Sequence, residues 1–332
     1  MTTARKKCVS LEVTRFYHCI TRCVRQAHLC GRCEKTGKSY NHRRKWVEDR
    51  LLQLATAFSI KICAYSVMHN HIHCVLFVDK EKALNWSKRE VLFFWCKAFK
   101  GSINEHLYLD ITRCSELLEH EILAIEKNIE IYRKRLYSIS WFMRQLNQYI
   151  ARRANIEDKC TGHFWEGRFI SKALLTENSV LAAMVYNELN PIRAGLSVTP
   201  ESSAYTSIKM RLSNIKHNTR TMGLISFSDQ KSEHSENCLP ISFSDYATLV
   251  EVTGRIHIEG KGHIENRIKP ILERWQLKFE NWYKLTSQLD ELVSIALGHP
   301  NDLAKLANNT GRIKRPDIFA SNYLKQPTSI PE

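Results

Sequence analysis

Residues 66–78 read SVMHNHIHCVLFV and predict two strands joined by a tight polar corner. The first strand ends near Met68, and the second begins at His71. Side chains alternate between faces along a strand, so His71 and His73 share one face while Ile72 points to the other. Two imidazoles side by side on a rigid sheet form half of a divalent-metal site, although such histidines also occur as ordinary polar residues on a solvated face.

Two further blocks accompany this pattern. Residues 162–169 read GHFWEGRF, and residues 190–195 read NPIRAG. Together with the His-hydrophobic-His after Met68-His69-Asn70, they resemble the HUH motif and later blocks of the single-tyrosine transposases, the insertion-sequence-200-like and REP-associated families. The resemblance covers about residues 10 to 210, and His69 stands where the family usually has proline.

The resemblance implies an α+β fold, a ferredoxin-like antiparallel sheet with helices on one face. The local patterns agree with this plan. They predict strands over 16–24, 60–68, 71–78 and 169–175, a helix that Asn41 caps, and helices over 140–155 and 179–189. The last of these is expected to end at Asn190, because the residue before a proline avoids helical geometry.

The family's attacking tyrosine lies on a helix upstream of the Trp-x-Gly-Arg-Phe block, and Tyr149 is the matching position. A tyrosine on the edge of an apolar stripe can equally be a half-buried core residue. The resemblance assigns Mg²⁺ or Mn²⁺ to His71 and His73, with a third ligand, Gln or Asn, one helical turn after the tyrosine. Arg153 occupies that position and cannot bind a metal, so Gln145 or Asn155 would have to substitute.

The implied activity is that of a metal-dependent single-stranded DNA endonuclease and strand transferase that acts through a phosphotyrosine intermediate in DNA transposition or recombination. Arg153 favours an alternative, a DNA-hairpin-binding protein of the same fold that has lost cleavage. A weaker alternative is an RNA-binding module, since four-stranded sheets of this type also bind RNA.

The charge of the chain favours a nucleic-acid partner. Its formal net charge is +15, and residues 1–50 hold 13 Lys and Arg against 4 Asp and Glu. The partner implied is single-stranded or hairpin DNA, and the oligomeric state stays open, with a homodimer as one option. A solvated basic surface is the alternative, and Arg168 in particular could pair with Glu166 or Asp158. The predicted DNA contacts are Arg43, Arg44, Lys45, Arg152, Arg153, Arg168 and Arg193.

Eleven cysteines are present, and one group of them is closely spaced. Cys23, Cys30 and Cys33, with His28 nearby, could hold a structural zinc ion, but a second Cys-x-x-Cys pair is missing. A reduced cysteine cluster in a loop is the other interpretation, because thiols persist in a reducing compartment.

The chain has no apolar run long enough to span a bilayer and no apolar signal-peptide core, which predicts a cytoplasmic, nucleoid-associated protein without a membrane partner. The composition suggests three parts. Residues 1–198 form the transposase-like domain, residues 199–244 a linker or long loop, and residues 245–332 a helical segment of unknown role.

Overall fold

A computed structural model describes residues 8–24, 29–31, 37–230, 237–259, 267–313 and 316–324. Its centre is a five-stranded sheet in the order β2-β3-β1-β4-β7. All neighbouring strands are antiparallel except β4 and β7, which run parallel. The strands are β1 (Phe16–Arg22), β2 (Ile60–Val67), β3 (His71–Val78), β4 (Ile170–Leu174) and β7 (Ala296–Leu297), and a separate parallel pair is formed by β5 (Ser226–Phe227) and β6 (Cys238–Leu239).

The helices lie between the strands in chain order, and the last of them follows β7. In the first half of the chain they are α1 (His42–Ala57), α2 (Lys80–Asn85), α3 (Lys88–Phe99), α4 (Ile103–Leu109), α5 (Glu119–Leu136) and α6 (Ile139–Glu157). In the second half they are α7 (Glu177–Arg193), α8 (Ser207–Lys216), α9 (Phe243–Glu259), α10 (Lys269–Arg274), α11 (Phe279–Leu292) and α12 (Pro300–Asn309). No helix in the described ranges has both the length and the apolar character that crossing a membrane requires.

The first four strands confirm the predicted α+β class. Their order, with α1 between β1 and β2 and α6 before β4, is that of a ferredoxin-like sheet. Strand β3 begins at His71 as predicted, and Met68 N–H donates to the His71 carbonyl across the corner at 2.9 Å.

Helices cover both faces of the sheet, whereas one covered face was predicted. Ile72 and Cys74 of β3 belong to a hydrophobic core with α1, α3, α5 and α6. Val75 and Phe77 point the other way, into a second core with α7, α9 and α11. The difference arises because the C-terminal part of the chain buries the apolar residues on the second face, which would otherwise be exposed to water.

Helix α7 runs through Pro191 to Arg193, although its end was predicted at Asn190. Asn190 and Pro191 are buried, and Arg193 donates to the carbonyl oxygens of Thr286 and Ser287 at 2.8 and 2.6 Å. Tertiary packing therefore outweighs the local bias of the residue before proline.

The interval 199–244, predicted as a linker or long loop, contains α8, β5 and β6 and buries Ile208, Ile225 and Phe227. The apolar residues of this interval are too few to form the hydrophobic periodicity from which helices and strands are predicted. The helical segment after it also supplies β7, which pairs with β4. The division of the chain into domains stays a prediction.

Candidate functional site

Strands β1 and β3 bring two buried histidines together on the second face of the sheet. His18 Nε2 and His73 Nδ1 share a hydrogen bond of 3.0 Å, and their rings stack with centroids 5.2 Å apart. The His71 ring lies 4.7 Å from the His73 ring, and its Nδ1 bonds to Asn70 Oδ1 at 2.6 Å. The predicted histidine pair is therefore a cluster of three imidazoles.

A carboxylate and an ammonium group complete the floor of this cluster. Lys172 of β4 donates from Nζ to Asp290 Oδ1 of α11 at 2.6 Å, and the lysine is almost fully buried. The Asp290 oxygens lie 3.9 Å from His18 Nδ1 and 3.8 Å from His73 Nδ1. Asp290 comes from the C-terminal segment, for which the sequence predicted no role.

Helix α7 adds a tyrosine to the same cluster. The Tyr186 ring centroid is 6.1 Å from that of His18 and 5.9 Å from that of His73. Asp290 and Arg193 are the charged neighbours that act on its phenol, and the Arg193 guanidinium lies 3.9 Å from the Tyr186 ring centroid. Tyr186 is 7% exposed, so its ring is buried in the cluster.

Burial controls the ionisation of these groups. It lowers the pKa of His18 and of His71 to about 4, and that of His73 well below its usual value, so the three imidazoles are neutral at neutral pH. Burial, reinforced by Asp290, raises the pKa of Tyr186 to about 12. The site therefore holds a neutral phenol beside neutral imidazoles.

The two charged partners respond in different ways. Burial lowers the pKa of Lys172, and the attraction of Asp290 opposes that change. Burial alone would raise the pKa of Asp290, but His18, His73 and Lys172 hold it below its ordinary value. Asp290 is thus the carboxylate that balances the buried ammonium group.

Tyr149 and Gln145 lie in the other layer of the molecule. Both are on α6, whose Met143 Sδ is 3.9 Å from Cys74 Sγ, on the face opposite to the histidines. Tyr149 is 36% exposed and accepts a hydrogen bond of 2.7 Å from Arg153. The structure brings neither residue to His71 and His73, because helical spacing does not reveal on which face of a sheet a helix will pack.

The sequence also contains a spacing that favours Tyr186 over Tyr149. Tyr186 precedes Asn190 by one helical turn, which is the tyrosine-to-amide spacing that the resemblance requires. Asn190 lies on the same helix and its Oδ1 accepts from Arg193. No local pattern marks His18, Lys172 or Asp290, because only the packed sheet and α11 bring them together.

The predicted DNA contacts divide into engaged and exposed cations. Arg43 is 1% exposed and donates to Glu157 and Asp158 at 2.7 and 2.6 Å, so its guanidinium is not available to a phosphate. Arg193 is likewise occupied by α11 and Tyr186. For Arg43 and Arg193 the structure corrects the prediction, because burial requires that such charges be paired inside the protein.

The remaining basic residues lie nearer the surface. Arg44 donates to Cys30 Sγ at 3.1 Å, Lys45 pairs with Asp49, and Arg153 lies 4.0 Å over the Trp46 ring. Arg152 and Arg168 are exposed, and in the described ranges neither forms an ion pair. These two are the cations best placed to meet a polyanion.

Part of the predicted zinc cluster can be described. Cys23 and Cys30 are buried, and burial raises the pKa of both thiols. Cys30 Sγ donates to the Met68 carbonyl at 2.9 Å, next to the corner before β3. His28 and Cys33 lie outside the described residues, so zinc at this place stays a prediction.

Comparisons with known proteins give one likeness. No protein-family model matches the chain, and no curated protein matches it. Among solved structures, the chain is similar to a REP-associated tyrosine transposase bound to a REP hairpin, with 10% sequence identity and a TM-score of 0.38. The alignment covers 71% of this chain and 100% of that chain. A similarity this weak does not show the activity of the chain, and the evidence for activity comes from the site.

The donor chemistry of the cluster suits a divalent ion in part. His18, His73 and Asp290 each offer one donor atom, and these atoms lie within 4.8 Å of one another. Imidazole nitrogens suit Mn²⁺ better than Mg²⁺, which prefers oxygen. Lys172, however, already neutralises Asp290 at 2.6 Å. The imidazoles therefore fit a divalent ion, whereas the carboxylate fits one only if Lys172 releases it.

Proposed function

We propose that this protein is a transposase-like, single-stranded DNA nuclease and strand transferase in which Tyr186 is the nucleophile. One observation carries the proposal: the ring of a tyrosine lies beside paired strand histidines in a buried cluster that also holds a lysine and an arginine. Chemistry of the single-tyrosine HUH type needs a tyrosine beside the histidine pair, and Tyr186 is the tyrosine in that place.

Arg193 prepares the nucleophile. Its guanidinium lies 3.9 Å from the Tyr186 ring centroid, and its positive charge lowers the pKa of the phenol against the effect of burial. The phenol oxygen then attacks the phosphorus, and the bond from phosphorus to the 3′-oxygen breaks. The products are a 5′-phosphotyrosyl bond and a free 3′-hydroxyl. His18, the neutral imidazole that is not a proposed metal ligand, takes the phenol proton and gives it to the departing 3′-oxygen, which leaves as the hydroxyl.

Mg²⁺ or Mn²⁺ is part of the proposal, with His71 and His73 as ligands and His18 beside them. When bound, the ion would act as a Lewis acid that withdraws charge from the phosphate oxygens. Lys172 would also stabilise negative charge on the phosphate, because its ammonium group faces the Asp290 carboxylate at the centre of the cluster.

A second candidate is a DNA-hairpin-binding protein of the same fold that does not cleave. The burial of Tyr186 and the raised pKa of its phenol favour this function. In this case the exposed cations would still bind phosphates, while the buried cluster would serve only to hold α7, α11 and the sheet together.

Covalent trapping separates the two candidates. We expect the full-length protein, incubated with single-stranded hairpin DNA and Mn²⁺, to form an adduct that survives a denaturing gel. Tyr186→Phe removes one oxygen and should abolish the adduct, whereas the matched variant Tyr149→Phe should retain it. An adduct that persists in Tyr186→Phe and disappears in Tyr149→Phe would restore Tyr149 as the nucleophile. Absence of any adduct in the wild type would favour the binding protein.

A further inference from the structure

We propose that the Asp290 carboxylate occupies a phosphodiester-binding position, so that α11 blocks the cluster until a nucleic-acid phosphate replaces it. This inference rests on the proposed function and adds a phosphate subsite and its internal occupant. The subsite consists of Lys172, the Tyr186 hydroxyl and the facing edges of His18 and His73.

The contacts of Asp290 are those that a phosphate would make. Its Oδ1 accepts from Lys172 Nζ at 2.6 Å, and its oxygens lie 3.9 and 3.8 Å from the Nδ1 atoms of His18 and His73, close to the Tyr186 phenol. A phosphodiester likewise carries one negative charge on two equivalent oxygens, and it accepts the same hydrogen bonds. A phosphate at this position would have its phosphorus next to the proposed nucleophile, as attack by Tyr186 requires.

The charges of the cluster also require an anion here. Lys172 is almost fully buried and Arg193 is partly buried, and Asp290 attracts both of them. Asp317 acts on Lys172 and Glu291 on Arg193, but neither forms an ion pair with that cation within the described ranges. If Asp290 left without a replacement, buried positive charge would remain uncompensated, which is strongly unfavourable. Departure of Asp290 and entry of an anion are therefore coupled.

Helix α11 is built so that Asp290 can move separately from its anchored part. Gln288 has the non-helical angles φ −127° and ψ 23°, which break the helix just before Asp290. Ahead of the break, Arg193 holds the carbonyl oxygens of Thr286 and Ser287. Leu289, after the break, is buried and favours the closed position.

The test compares Asp290→Asn with Asp245→Asn in the full chain. Asp245 also pairs with a cation, Arg274, at 2.8 Å, and its side chain has the same exposure as Asp290, 26%. Both changes add the same net charge. Affinity for a short single-stranded oligonucleotide is measured without added metal by fluorescence anisotropy, and Mn²⁺ binding is measured by electron paramagnetic resonance.

We expect Asp290→Asn to bind the oligonucleotide about tenfold more tightly than Asp245→Asn does. Adding Lys172→Met to Asp290→Asn should remove that gain, because the phosphate loses its ammonium partner. Equal affinity in the two single variants overturns the inference. So does a loss of Mn²⁺ binding in Asp290→Asn, which would make Asp290 a metal ligand. Binding without metal does not depend on cleavage, so failure of the proposed function would appear in the adduct assay alone.

A second measurement needs no variant and covers the case in which Asp290→Asn does not fold. Hydrogen exchange of the wild-type amides at 289–292 is followed with and without the oligonucleotide. Displacement of the end of α11 predicts faster exchange in the complex. Slower or unchanged exchange in saturated complex contradicts the inference.

Discussion

At the scale of single residues, the site depends on neutral groups held in a dry environment. His18 and His73 are fully buried and share one hydrogen bond, so neither ring is hydrated. A buried imidazole stays neutral because protonation would place a charge where water cannot stabilise it. Its lone pair is therefore available to a metal ion. The same burial keeps Tyr186 protonated at neutral pH.

The histidine ligands can be tested individually. His71→Ala and His73→Gln should each abolish Mn²⁺ binding and adduct formation, because each removes an imidazole ligand. Hairpin binding should remain largely intact, since affinity comes from phosphate contacts. Binding by calorimetry and adducts on a denaturing gel give the two readouts, with the exposed His163→Ala as control. Full cleavage in the presence of EDTA would refute the metal assignment.

His257 predicts an acid sensitivity of stability. It stacks on Tyr283 with ring centroids 4.7 Å apart, and burial, aided by Arg193, lowers its pKa to about 4. Its usual pKa is 6.5, so its contribution to stability is complete above pH 6.5 and is lost as the pH falls toward 4. That contribution amounts to ~3 kcal/mol at most.

The corresponding variant is His257→Phe, which retains a ring against Tyr283 and cannot be protonated. Between pH 7 and pH 4, its free energy of unfolding in urea should fall less than that of the wild type. Exposed His163→Gln serves as the control and should follow the wild type. Parallel curves for His257→Phe and the wild type would show that protonation of His257 does not contribute to acid unfolding.

At the scale of secondary-structure elements, helix α7 organises the second layer. It presents Tyr186 and Arg193 to the cluster, and between them in the sequence it presents Glu188 in another direction, to α8 and α9. Glu188 accepts from Ser207 Oγ, from Ile208 N–H at 3.0 Å and from the Tyr246 hydroxyl at 3.2 Å. Burial raises the pKa of Glu188 to about 7. A single carboxyl group thus joins three helices behind the site.

Removing this group should therefore be costly. Glu188→Ala leaves the Ile208 N–H without its acceptor and Arg211 without the nearby carboxylate, so we expect a loss of ~3–5 kcal/mol in the free energy of unfolding. Glu251→Ala breaks an exposed pair with Arg255 and should cost about 0–1 kcal/mol. Urea titration measures both. Equal losses would mean that the Glu188 network adds nothing to stability.

At the scale of the whole molecule, several basic side chains are engaged inside the protein and do not face solvent. Arg43, Lys172, Arg193 and Arg211 are engaged with carboxylates, carbonyl oxygens or aromatic rings. The proposed binding of DNA would therefore rely on exposed cations, such as Arg152 on α6 and Arg168 on the segment that joins α6 to β4.

Salt dependence measures these contacts. The double variant Arg152→Gln, Arg168→Gln should reduce the slope of log affinity against log salt for single-stranded DNA by about 1.4, because two condensed counterions fewer are released. Arg113→Gln, at an exposed arginine already paired with Glu116, should leave the slope nearly unchanged. An unaltered slope in the double variant would place the interface elsewhere.

The sequence alone determined the local features of this protein. The strand beginning at His71, the shared face of His71 and His73, and the antiparallel α+β plan follow from alternation and turn chemistry, which act between residues close together in the chain. Only the tertiary structure decided which tyrosine meets the histidines. Tyr149 and Tyr186 both lie on helices, and the layer in which each helix packs depends on the whole core.

The same holds for Asp290, which meets Lys172 across 118 residues of sequence. No local period encodes that contact, because it arises from the burial of α11 on the far face of the sheet.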